Sequence, residues 1–262
     1  MHSAARRGFN RRECGMSKLL APSMEQDLVA YLVKEYELPF KPVVFRTIFE
    51  AAVWLLDNGI PFDEWFDEVV EEFGKGDSIL GYDPNEPKPY LLRFIRTVTA
   101  FITRELPFHD QSDPHSDKKV TVEVLQESIH WPDGSVTQRK YPNTLSGKMH
   151  LSEGYPEGAL RREVYEETGV LVSRKQMNLN AHPVPPVNFA YFNDPNLKRG
   201  VEIDVKVNPR RPGVRTYNKL FHFFLKFDKP RYWRKEYREV RRHNTLVFTW
   251  RRADLPKKVI KD

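Results

Sequence analysis

The spacing of apolar residues changes near residue 118, from three-and-four to two, and a chain carrying both periods must combine helices with a sheet. Leu28, Tyr31, Leu32 and Tyr36 recur as one face of a helix would. Phe45, Ile48, Phe49, Ala52, Val53 and Leu56 repeat the pattern up to Asn58-Gly59, a helix-closing pair. Phe62, Trp65, Phe66, Val69 and Phe73 follow from Pro61, and Tyr90 to Glu105 continues the apolar stripe after a Gly- and Pro-containing stretch at 74–89. Residues 21–106 are therefore expected to form a small all-helical accessory domain, and the polar run 107–118 a linker. Beyond it Val120, Val122, Val124 and Ile129 sit in a strand-like segment, Pro132-Asp133-Gly134 supplies a turn, and Ser135 to Tyr141 returns as the partner strand. Further strands are expected at 184–192, 201–207, 216–227 and 245–250, with one helix, Pro156 to Thr168, between the first pair and the rest. The expectation is an α+β chain whose mixed sheet occupies 119–262.

Charge is distributed unevenly. Residues 209–262 hold 17 Lys or Arg against 5 Asp or Glu, whereas the first 208 hold 25 against 31. A basic end suits an anionic ligand or partner, and equally suits solvated strand faces. Within it Arg231, Arg234, Lys235, Arg238, Arg241 and Arg242 recur at helix-like or turn-like spacing around Tyr232 and Trp233, which makes RNA a candidate partner. Cys14 is the single cysteine, so neither an internal disulfide nor a cysteine-based zinc site is available. No stretch reaches the roughly 18 to 20 apolar residues that cross a bilayer. Residues 1–20 read as a disordered or targeting segment: Arg6, Arg7, Arg11 and Arg12 stand against one acid, Glu13, with no apolar core. An intracellular chain is expected, cytoplasmic or mitochondrial, and Met16 offers a second start.

The chemistry is concentrated between Gly147 and Val170. Pro156 sits where a helix starts and Gly169 where a left-handed cap ends one. Inside, Glu163, Glu166 and Glu167 stand at i, i+3 and i+4, three carboxylates on one arc. Three like charges so close repel one another, and a hard divalent cation such as Mg²⁺ relieves that repulsion while keeping positions for phosphate oxygens. Arg162 is placed to orient Glu163, and Leu160 and Val164 to anchor the helix. A solvent-facing Glu-rich helix has the same local sequence.

The whole stretch resembles the Nudix box, G-x5-E-x7-R-E-U-x-E-E-x-G-U with U aliphatic. Arg162, Glu163, Val164, Glu166, Glu167, Gly169 and Val170 match its second half, and Gly147 and Glu153 its first. Eight residues, rather than seven, separate Glu153 from Arg162. The resemblance covers residues 118–262 and implies an α/β/α sandwich with a mixed sheet. It implies Mg²⁺ or Mn²⁺ held by Glu163, Glu166, Glu167 and the Gly147 carbonyl, with Lys148 meeting substrate phosphate. It implies a general base on a later loop, where Glu236 and Glu239 fall, although a surface helix explains these two as well. The reaction implied is cleavage of a phosphoanhydride in a nucleoside diphosphate linked to another moiety. Pro183, Pro185 and Pro186 are placed similarly to prolines in the ADP-ribose pyrophosphatases of that family, so the resemblance implies an ADP-ribose-like compound, and Tyr191, Phe192, Tyr217 and Trp233 are aromatics available for stacking or for the core. The alternatives are an RNA-associated Nudix protein, either a 5′-end pyrophosphohydrolase or a non-catalytic subunit of an RNA–protein assembly.

Overall fold

The computed structural model describes residues 22–61, 64–107, 119–177, 201–207, 209, 211–227 and 229–252. Its contacts resolve into two compact units, residues 1–94 with 205–217, and residues 95–204 with 218–262.

The first unit begins with α1 (Pro22–Glu35), a short β1 (Val43–Val44), α2 (Ile48–Asp57) and α3 (Glu64–Lys75). Thr47 caps α2 by accepting from the Glu50 N–H at 3.1 Å, and Gly59 at φ 63° turns the chain out of it, as Asn58-Gly59 foretold. Strand β2 (Ser78–Tyr82) runs antiparallel to β1. Ala51, Leu55, Trp65, Val69, Leu80 and Val214 are among the residues that bury one another as this unit's core. Glu72 and Arg93 form a buried ion pair at 2.6 Å. Part of the basic end belongs here: Arg215 grips Glu86 through two hydrogen bonds of 2.7 Å, and Arg211 pairs with Glu68.

The helical reading of 90–105 is corrected. Leu91–Pro107 is one long strand, β3. Leu91, Leu92, Phe94, Ile95, Val98 and Ala100 are buried together with Arg93 and Arg96, so apolar residues fall on both faces and no period of two appears. A continuous apolar run fits a buried strand or a buried helix equally, and the β-branched Ile95, Thr97, Val98, Thr99, Ile102 and Thr103 decide for the strand.

The second unit is built on β4 (Lys119–His130), which pairs antiparallel with β3, with β5 (Val136–Asn143) and with β10 (Thr245–Arg252). Strand β6 (Leu145–Lys148) lies antiparallel on β3, and β9 (Glu236–Val240) on β10. Strand β7 (Val201–Val207) pairs with β8 (Val214–Lys226), which also pairs with β3. Thr97 Oγ1 donates to Asn218 Oδ1, and the Thr103 carbonyl accepts from the Phe227 N–H, so both strands advance in the same direction and the sheet is mixed. Helix α4 (Pro156–Thr168) packs on β6 and β9, the expected span. Val98, Ile102, Leu160, Val164, Phe223 and Phe248 lie at the centre of the core.

The β4–β5 connection follows its sequence. Gly134 takes φ 84°, and Asp133 Oδ1 accepts from the Ser135 N–H at 2.9 Å. The strand and the prolines expected between 183 and 192 lie outside the described residues, as do the linker positions 108–118 and the segment 1–20. Among the described residues, no helix is long and apolar enough to cross a membrane.

Candidate active site

Helix α4 starts at Pro156, whose missing N–H costs nothing in a first turn, and ends on Gly169 at φ 70°, whose N–H returns to the Tyr165 carbonyl at 2.7 Å. Ala159, Leu160, Val164 and Thr168 face the core. That burial rotates the three glutamates into unequal positions. Glu167 is buried, the Glu163 side chain keeps 12% of its exposure and Glu166 keeps 49%. The helix therefore offers two inward carboxylates and one at the rim.

Arg162 ties this helix to the loop before it. Its guanidinium donates to the Lys148 carbonyl at 2.8 Å and to both carboxylate oxygens of Glu153 at 3.3 Å. It also pairs with Glu163 and reaches Glu166 at 3.5 Å. Glu153 is held from its other side, because its Oε2 accepts from the His150 N–H at 2.8 Å. So the eight-residue spacing does not prevent the Glu153–Arg162 contact. These partners raise the Arg162 pKa against the opposing cost of burial.

Gly147 has a steric reason to be glycine. A Cβ there would collide with the Glu163 carboxyl group. Burial raises the Glu163 pKa, with Glu166 and Glu239 adding to the shift and Arg162 opposing it. Glu167 is perturbed further. Burial, then the charges of Glu239 and Glu163, push it up to about 9, against Arg241 and a hydrogen bond from the Ser146 backbone. Its Oε2 has no hydrogen-bond partner among the described residues.

Glu239 comes to this cluster on a strand. The loop or helix expected for 236–239 is corrected: in β9 the alternation points Tyr237 and Glu239 inward, with Tyr237 buried and the Glu239 side chain 15% exposed, and leaves Arg238 and Val240 outside. Glu236 falls on the outer face and pairs with Arg238 at 2.6 Å. Of the helix-like or turn-like spacing read for the arginines, Arg231 takes the turn, in the short 3-10 segment Pro230–Tyr232, whereas Arg238 lies in strand β9 rather than in a helix. Arg241 binds both oxygens of Glu239, at 2.6 and 2.7 Å, and its charge also acts on Glu167 and Glu163.

Glu163, Glu167, Glu239, Arg162 and Arg241 thus share one electrostatic neighbourhood, with Gly147 against Glu163 and the Lys148 carbonyl on Arg162. Among the described residues, no group of three His, Cys, Asp or Glu stands ready to hold an ion, because Glu163 is turned to Arg162 and Glu166 lies at the surface. The donor set still fits a hard divalent cation. Oxygen ligands dominate it, and at Glu167 burial outweighs the nearby Arg241 charge and leaves Oε2 without a partner among the described residues. Sequence reading set Arg241 in a candidate RNA surface and missed its place beside the carboxylates, which no local motif marks: strand pairing brings it beside the helix. Of the aromatics, Tyr217 is a core residue stacked on Phe94 at 5.2 Å, while Tyr191 and Phe192 lie outside the described residues.

No protein-family model matches the chain, and no curated protein matches it. Among solved structures, the chain is similar to an Ap4A hydrolase of C. elegans, crystallised as a binary complex. The two are 14% identical, over 60% of this chain and 79% of that one, with a TM-score of 0.30. That likeness is too loose to bear on function.

Proposed function

We propose that the second unit is a Nudix-type hydrolase that cleaves a phosphoanhydride in a nucleoside diphosphate linked to another moiety, ADP-ribose-like compounds being the favoured class. The observation that carries this reading is Glu167, a buried carboxyl beside Glu163 and Glu239 with an oxygen that nothing described here satisfies. Burying such a group costs free energy unless a ligand compensates it.

In this reading Glu163, Glu166, Glu167 and the Gly147 carbonyl would hold Mg²⁺ or Mn²⁺. When bound there, the cation would supply charge for the phosphate oxygens and make water more acidic. Arg162 keeps the loop and the helix in register, so that the carboxylates meet the substrate together. Lys148 adds a positive charge for phosphate. Glu239 accepts a proton from the attacking water, and Arg241 keeps that carboxylate oriented.

The test is hydrolysis of ADP-ribose, dinucleoside polyphosphates and nucleotide sugars by the full chain, with Mg²⁺ or Mn²⁺ and with chelator. Turnover of at least one compound should vanish with chelator and return with metal. Full activity in chelator, or no turnover of any of them, overturns the reading.

Gly147→Ala provides a sharper check. The added methyl must displace the Glu163 carboxyl, and a misplacement of about 1 Å costs roughly a hundredfold in rate. Steady-state kinetics should show that loss mainly in kcat, while far-UV circular dichroism stays unchanged. Unaltered kinetics would mean that Glu163 has no part in the chemistry.

A further inference from the structure

A cavity of about 340 Å³ opens beside Glu167, between β4, β6 and the turn that leads into β10. Ile129 and Leu246, direct cross-strand neighbours, also line it, within a lining that is mostly polar. Arg139 and Arg241 stand at its more exposed side. Two polar residues in its lining have unmet atoms. Gln126 is 6% exposed and its Nε2 has no hydrogen-bond partner among the described residues. Asn244 Oδ1 is in the same condition.

A buried donor and a buried acceptor without partners each destabilise the fold, and a ligand that bonds to both recovers that cost. The ligand must therefore present an acceptor and an N–H or O–H donor. An apolar ligand fails this requirement. A free phosphate, whose P–O⁻ and P–OH groups also offer an acceptor and a donor, is told apart from a base by the ribose 5-phosphate arm of the test below. A nucleobase edge satisfies the requirement, since each base sets an acceptor next to an N–H donor.

We propose that this cavity reads the base of the substrate, with Gln126 donating to a ring acceptor and Asn244 accepting from an N–H. The inference rests on the hydrolase reading above. Glu167 belongs both to the cavity lining and to the carboxylate cluster, so a base seated here leaves its attached phosphates beside the cluster, near Arg139 and Arg241.

Calorimetric titration of the full chain in chelator, with AMP, GMP, CMP, UMP and ribose 5-phosphate, tests the proposal without requiring turnover. At least one nucleotide should bind roughly tenfold or more tightly than ribose 5-phosphate, an advantage equal to one well-placed hydrogen bond. Gln126→Glu replaces the donor with an acceptor in the same shape and should erase the preference for that nucleotide over ribose 5-phosphate. Asn244→Ala, at a half-exposed position, should reduce it as well, and serves if the buried substitution unfolds the chain. Equal binding of all five compounds, or full retention of base preference in Asn244→Ala, overturns the proposal. Base-dependent binding by a chain that hydrolyses nothing would instead overturn the hydrolase reading and leave the pocket standing.

Discussion

Glu167→Gln is expected to lower metal-dependent turnover by on the order of 10²- to 10³-fold while making the metal-free protein more stable above neutral pH. The two effects have one origin. In the folded, metal-free protein Glu167 keeps its proton up to about pH 9, whereas its ordinary value is 4.5. Between those limits the folded state holds a proton that the unfolded state releases, so rising pH destabilises the fold. The stabilising contribution is complete below pH 4.5 and lost as pH passes about 9. Each pH unit in that window costs up to about 1.4 kcal/mol. Gln cannot ionise, so the variant's thermal midpoint in chelator should change less between pH 5 and 9. Added Mg²⁺ should raise the wild-type midpoint more at pH 8 than at pH 5, because ligation requires the deprotonated carboxyl. Equal pH slopes for the two proteins would deny the buried protonated state, and undiminished turnover would remove Glu167 from the metal site.

A chain beginning at residue 108 should not fold. It lacks all of β3, including Val98, Ala100 and Ile102, each no more than 2% exposed in the core of the second unit. Removing Val98 and Ile102 alone forfeits about 3 to 6 kcal/mol of apolar burial, comparable with the net stability of a whole domain. It also leaves β6 and the first part of β4 without the hydrogen-bonding partner that β3 supplies. The measurement is solubility followed by thermal unfolding. A soluble fragment with a cooperative transition would show that β3 is dispensable. The expectation of a helical accessory domain ending at 106 points the other way, and β3 is where it meets the structure.

What the sequence made legible follows from how local each signal is. Helix α4 announces both its ends, Pro156 and Gly169, and its i, i+4 glutamates lie within a single segment. The β4–β5 turn is equally local, since Pro132-Asp133-Gly134 closes it without help from elsewhere. By contrast, a run buried on both faces carries no period, which hid β3. Strand β9 was hidden differently. Its inward Tyr237 and Glu239 alternate with outward charges, and one inward glutamate among arginines reads as surface. The convergence of Arg241, Gln126 and Asn244 on the carboxylates and the cavity was beyond local reading altogether. They converge only because β4 pairs with β10, and β10 with β9.

Arg162 has a consequence for how such a site tolerates variation in chain length. A loop whose residues must each find a ladder partner fixes the number of residues it contains. The loop from His150 to Tyr155 is fastened instead at its foot, by the Lys148 carbonyl, and in its middle, by Glu153, both on one guanidinium rooted in the helix. What the guanidinium enforces is a distance, which chains of different contour length can satisfy by bowing outward. Added residues become slack between two fixed points and leave the glutamates of the helix where they were. Patterns that count residues would pass over such a site, whereas one arginine with three carboxylates and a carbonyl within its reach still marks it.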